Sequence, residues 1–228
     1  MKLSISMTRR ESLLGWSYWL FSLFGLPFGL FFLSALLAKP LTDTEINLLY
    51  FFLNFVAAVV IFRRFLKASL TAAMESVGRC LRYGVFGFGI YYVAMLLVSQ
   101  VIVSIYPDFT NVNDNAIMDM AQEYSGLMAF ATVILVPVAE ECFHRGLIFG
   151  GLHRKNRALA YLISMIVFAG IHVVGYIGQY DWQLLLLCFA QYLPAGLALA
   201  WAYEKADNIV APILIHITIN QIGMSAMR

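Results

Sequence analysis

Four ionisable side chains, Glu140, Glu141, His144 and Arg145, fall within six residues in the middle of an apolar segment that runs from Ser125 to Phe149. A segment of that length can cross a bilayer, and each charge near its centre would cost roughly 2.5 to 3.5 kcal/mol if it faced lipid. The charges must therefore face protein or water, so the helix that carries them needs other helices around it. On a helix, Glu141 and Arg145 share one face, four residues apart, while Glu140 lies about 100° away, above His144. Glu140 has no cation on its own helix and must find company on others. Two later apolar segments offer it, one with His172 and one with His216 and Asn220.

The rest of the chain supplies enough apolar segments to build that enclosure. Runs at Leu13–Leu37, Ile46–Phe62, Gly84–Ile105, Ser125–Phe149, Ala158–Tyr176, Trp182–Tyr203 and Ile209–Met227 read as seven spans. An eighth is needed only if the Thr71–Gly78 piece enters the bilayer instead of lying on it as an amphipathic stretch. The expected fold is an all-α polytopic transmembrane bundle. Residues 61% hydrophobic and 12% charged leave no soluble domain to account for. The first run is too long for a signal peptide and reads as a retained span. Residues 1–124 hold three spans and a hydrophilic loop, Tyr106–Tyr124, and residues 125–228 hold the polar motifs, within a single membrane domain. Gly25 and Gly29, and Gly84, Gly87 and Gly89, suggest close helix contacts.

Charge placement orients the bundle. Basic residues gather at the N-terminus, at Arg63–Arg82 and at His153–Arg157, whereas the alternate loops are acidic or nearly neutral. The positive-inside rule then puts the N-terminus in the cytoplasm. A net charge of +2 gives no footprint for nucleic acid. Cys80, Cys142 and Cys188 stand singly in or beside apolar runs and read as packing residues. His153, in a basic connection, reads as solvated.

With a rise of about 1.5 Å per residue, Glu140, His172, His216 and Asn220 all lie roughly 10 to 20 Å from the cytoplasmic ends of their helices, so they can meet at one depth. The ordered set Glu140-Glu141-x-x-x-Arg145, Phe168-x-x-x-His172 and His216-x-x-x-Asn220 resembles the CAAX protease and bacteriocin-processing family, the glutamate-dependent intramembrane endopeptidases that include type II prenyl-protein proteases. The resemblance covers Ser125 to the C-terminus. It implies that Glu140 activates a water with the help of His172, that His216 and Asn220 stabilise the oxyanion, and that Glu141, Arg145 and Phe168 support the site. It further implies a membrane-associated or prenylated peptide or protein as substrate; the compact chain with no soluble domain points to a prokaryotic cell membrane as location.

Three other readings compete. Glu140, His172 and His216 have the composition of a zinc site with an open position, but no His-Glu-x-x-His helix is present, and a metal-free mechanism is favoured. A non-proteolytic immunity or scaffold protein could use the same pocket, although none of the motif residues is missing. A small transporter or proton relay would also carry intramembrane Glu and His, but would show an inverted repeat, and none is evident.

Overall fold

A computed structural model describes residues 3–226. Lys2, part of the N-terminal basic stretch, and Met227, the end of the expected seventh span, lie outside the described residues. The described chain is helical apart from short turns and an isolated bridge between Ile177 and Tyr180. We number the helices α1 (Arg9–Ala35), α2 (Asp43–Ile61), α3 (Arg63–Glu75), α4 (Val77–Ile105), α5 (Val112–Glu123), α6 (Ser125–His153), α7 (Arg157–Ile171), α8 (Trp182–Ala206) and α9 (Val210–Ala226). Helices α1, α2, α4, α6 and α8 are long and apolar enough to cross a membrane, while α7 and α9 are shorter apolar helices. The seven expected runs are therefore seven apolar helices of an all-α polytopic bundle.

Local chemistry sets where the helices begin. Thr8 and Glu11 form a capping box on α1, and Thr42 and Glu45 do the same on α2. Glu11 has a second task. Its other carboxylate oxygen accepts the backbone N–H of Arg64 at 3.1 Å and of Phe65 at 2.9 Å, so it satisfies the free amides left where the chain bends between α2 and α3. Asn156 caps α7, and Asn208 caps α9 by accepting from Val210 and Ala211. Asp207, in the left-handed conformation at φ 57°, ends α8 and makes the turn into α9 tight.

Helix α6 is the axis of the bundle. Every residue from Glu141 to Phe149 is buried, which a helix at the rim cannot achieve, so α6 is enclosed on all sides. Helices α1, α2, α7, α8 and α9 pack around it. Two stretches of α6, Ala131–Leu135 and Cys142–Phe149, wind as π-helix. The first ends against Pro137, whose missing N–H removes one ordinary helical hydrogen bond. Lipid-facing surface falls on the outer helices, where Phe24, Phe28, Phe32, Val85, Phe86 and Leu97 are exposed.

Several expectations are corrected. The Tyr106–Tyr124 loop contains a helix, α5, started by the side chain of Asn111. The amphipathic piece proposed at Thr71–Gly78 begins earlier, as α3. The fifth span stops at Ile171, with His172 as its cap, instead of running to Tyr176. His153 is buried, not solvated: its Nε2 lies 2.7 Å from Glu204, a fully buried carboxylate that also accepts from Arg157 at 2.6 and 2.8 Å and from Tyr161 at 2.8 Å. Of the five glycines expected at close helix contacts, only Gly87 sits in one, because a Cβ there would come within 2.7 Å of Ile215 and 3.0 Å of Ala202. Gly29, Gly84 and Gly89 face open space, and Gly25 would meet only Phe21, on its own helix. All three cysteines are buried free thiols.

Candidate active site

The two adjacent glutamates of α6 point to different neighbours. Glu140 stands with Oε2 4.0 Å from Nε2 of His172, and the two side chains keep 21% and 14% of their surface accessible. That separation is too long for a direct hydrogen bond, and Glu140 Oε2 has no protein partner. Glu141 is wholly buried. Its Oε1 accepts from Arg145 at 3.1 Å and lies 2.8 Å from Nδ1 of His216. The Arg145 guanidinium also reaches the backbone carbonyls of Ala195 and Gly196 on α8, at 3.5 and 3.2 Å. The expected Glu141–Arg145 pair is thus present within a larger knot that joins α6, α8 and α9.

His172 owes its position to the end of α7. The short helix stops there, and Nδ1–H donates to the carbonyl of Phe168 at 2.7 Å, which directs Nε2 towards Glu140. Phe168 itself is the hub of the aromatic packing. Its ring lies 4.4 Å beneath the Arg145 guanidinium and meets the imidazoles of His144, His172 and His216 at centroid distances of 5.5, 4.8 and 5.7 Å. Asn220 donates one amide N–H to the carbonyl of Thr132 at 2.8 Å, beside the first π-helical turn. In the π turn each carbonyl pairs with the N–H five residues on, and for Thr132 that residue is Pro137, which has none, so the oxygen is open to an outside donor.

The structure therefore brings Glu140 to His172 and His216 to Glu141, with Phe168 linking the two pairs. Among the described residues, no group of three or more His, Cys, Asp or Glu side chains is placed to hold a metal. His144 is 1% exposed and neither ring nitrogen has a partner, so it lines the site without an evident bond.

Sequence reasoning missed two residues near His172. Tyr192 of α8 stacks on the His172 ring, with centroids 4.1 Å apart and planes at 26°. Its hydroxyl donates to Asp114 of α5 at 2.8 Å. A tyrosine in an apolar run reads as packing, and an aspartate in an acidic loop reads as solvated, so neither carried a signal.

Comparison with known proteins is consistent with this geometry. Residues 122–222 match the family described as "Type II CAAX prenyl endopeptidase Rce1-like", a stretch that contains every motif residue named above. The chain is 29% identical over 140 residues to "UPF0177 protein YxdF" of Lactococcus lactis subsp. lactis (strain IL1403), covering 60% of this chain and 69% of that protein. It is 27% identical over 208 residues to "Putative membrane peptidase YdiL" of Bacillus subtilis (strain 168), covering 82% and 80%. No solved structure matches.

Proposed function

We propose that this protein, whose residues 122–222 match the Rce1-like family of type II CAAX prenyl endopeptidases, is an intramembrane endopeptidase that hydrolyses a peptide bond of a membrane-associated or prenylated peptide or protein, with Glu140 as the base. The observation that carries the reading is the unpartnered Glu140 oxygen 4.0 Å from a histidine whose other nitrogen is already committed. A water hydrogen bonded to both Glu140 and His172 has its remaining lone pair free for a carbonyl carbon.

The step is then simple. Water oxygen bonds to the carbonyl carbon, its proton passes to Glu140, and the carbonyl oxygen takes the negative charge. His216, as an imidazolium held through Nδ1–H by Glu141, is assigned to donate Nε2–H to that oxygen, and the second N–H of Asn220 is available to it. Collapse of the intermediate breaks the C–N bond, and the proton held by Glu140 goes to the leaving amine. No metal enters this scheme. The protein would act in a prokaryotic cell membrane with its N-terminus in the cytoplasm.

The test is cleavage by protein reconstituted in liposomes and offered membrane-active peptides, with and without a farnesylated C-terminus. Glu140→Gln and His172→Ala are expected to lower kcat by roughly 10²- to 10⁴-fold. Cleavage by both variants at the wild-type rate would remove the site. Failure of the wild type to cleave any peptide would favour a binding role for the same pocket.

A further inference from the structure

His172 ends its helix, so the orientation of its ring depends on what touches it. One contact is the Nδ1 hydrogen bond to Phe168, which fixes the tautomer but acts at one edge. Besides the tilted Phe168 ring at 4.8 Å, the closest aromatic contact is the face of Tyr192, 4.1 Å away. Tyr192 is in turn held from outside the apolar bundle. Its hydroxyl donates to Asp114 at 2.8 Å and accepts from the Asn113 amide at 3.0 Å. Both residues lie in the first turn of α5. Asn111, which caps that turn, also donates to Gln191 at 2.6 Å, the residue just before Tyr192. Below these bonds Val112 packs with Val173, Leu185 and Cys188, so α5 is seated and not merely tethered. Burial pushes the Asp114 carboxyl above its ordinary range, against the opposing pull of the Tyr192 hydroxyl and of His172, which places all three in one partly desolvated group.

We infer that Tyr192, held by Asp114 and Asn113 of α5, is a positioning residue that fixes the plane of the His172 ring so that Nε2 addresses Glu140. This rests on the reading of His172 as the partner of Glu140. A stacked ring neither gives nor takes a proton here, so it acts through His172 alone. Without it the imidazole can turn about its Cβ–Cγ bond, and a displacement of about 1 Å at a reacting group can cost 10²-fold in rate. Helix α5 thereby belongs to the site, although it carries none of the family motifs.

Four variants test this: Tyr192→Leu, which loses the ring, Tyr192→Phe, which keeps it, and Asp114→Ala and Asp114→Asn, which lose and keep an acceptor. On a peptide the wild type cleaves, Tyr192→Leu is expected to lower kcat roughly tenfold to a hundredfold with KM changed by less than about twofold. Asp114→Asn should retain most of kcat, with Tyr192→Phe and Asp114→Ala, which keep the ring but lose all or part of its hold on α5, between. A second readout needs no substrate. With the full chain in micelles and its four histidines labelled with ¹⁵N, the His172 resonance, assigned by His172→Gln, should shift in Tyr192→Leu while that of His153 stays. Wild-type kcat in Tyr192→Leu, equal loss in Tyr192→Phe, or an unmoved His172 resonance would each overturn the inference. If Glu140→Gln still cleaves, the proposed mechanism fails, yet the resonance still decides whether Tyr192 holds the ring.

Discussion

Glu140 and Glu141 are neighbours in sequence, yet removing the charge from each should have opposite consequences. Glu141 has no accessible surface and compensates Arg145, whose guanidinium is equally buried. Glu141→Gln would leave that cation with backbone carbonyls only, at 3.2 and 3.5 Å. Breaking one side of a buried ion pair costs about 3 to 5 kcal/mol, a large share of the roughly 5 to 15 kcal/mol that keeps a domain folded. For a chain of this size each kcal/mol moves the midpoint by about 2 to 4 °C, so the variant should unfold on the order of 10 °C lower. Each carboxylate has one buried oxygen without a partner, but Glu140, unlike Glu141, forms no ion pair closer than its 4.0 Å approach to His172. A neutral amide there desolvates more cheaply than a carboxylate, so Glu140→Gln should melt within about 2 °C of the wild type, or above it, while losing cleavage. The measurement is intrinsic fluorescence on heating, in the same detergent for all three proteins. A Glu140→Gln variant that melts as low as Glu141→Gln would show that the two carboxylates share one structural role, and the division of labour argued here would be wrong.

Other perturbations probe the remaining parts. Glu204→Ala leaves His153 and Tyr161 without their buried acceptor, while the exposed Arg157 turns to water, and should destabilise by about 1 to 3 kcal/mol without changing KM in the protein that stays folded, measured by melting and by kinetics of the soluble fraction. Asn220→Ala should lower kcat by roughly 10²-fold with little change in KM, the pattern of a donor that works on the developing oxyanion; a purely KM effect would assign it to substrate binding. Chelators should leave cleavage unchanged. Activity lost to chelation and restored by zinc would require the four-residue site to rearrange around an ion.

What the sequence made legible was whatever lay along one helix or in the order of helices. The pair Glu141 and Arg145 and the seven apolar runs follow from periodicity, and Phe168 with His172 from the resemblance of the ordered motifs. Contacts that join separate helices left little trace. That Glu141 also holds His216 could not be read, because two residues 75 apart in sequence share no pattern. The seating of α5 was hidden because its polar composition matches a loop as well as a helix, and its start depends on Asn111 supplying the cap. The π turns of α6 had only Pro137 as a sign, and a proline in a membrane helix marks an ordinary kink as readily. His153 was misread because its partner, Glu204, comes from another turn at the same end of the bundle.

The packing also bears on which side of the membrane the site serves. From Glu141 to Phe149 α6 is sealed, and α8 is mostly buried from Pro194 to Ala206, so the route from the basic end is closed. Helix α7, at 15 residues, rises about 22 Å against a hydrocarbon core of about 30 Å, and His172 sits at its far tip. The surface that Glu140 and His172 keep accessible is therefore expected to open to the other end, whose connections, among the described residues, carry Asp43, Glu45, Asp108, Asp114, Asp119, Glu123 and Asp181 against the single cation Lys39. If the basic end is cytoplasmic, that mouth opens outside the cell, and a prenylated protein confined to the cytoplasm could not enter it. Single cysteines decide the matter, because the native thiols are buried and give little background. Gly175→Cys, exposed at the acidic end with open space at its Cβ, should react with a membrane-impermeant maleimide on intact cells, and Lys155→Cys, exposed at the basic end, only after permeabilisation. The reverse pattern would turn the mouth to the cytoplasm and restore cytoplasmic prenylated peptides as the first substrates to try.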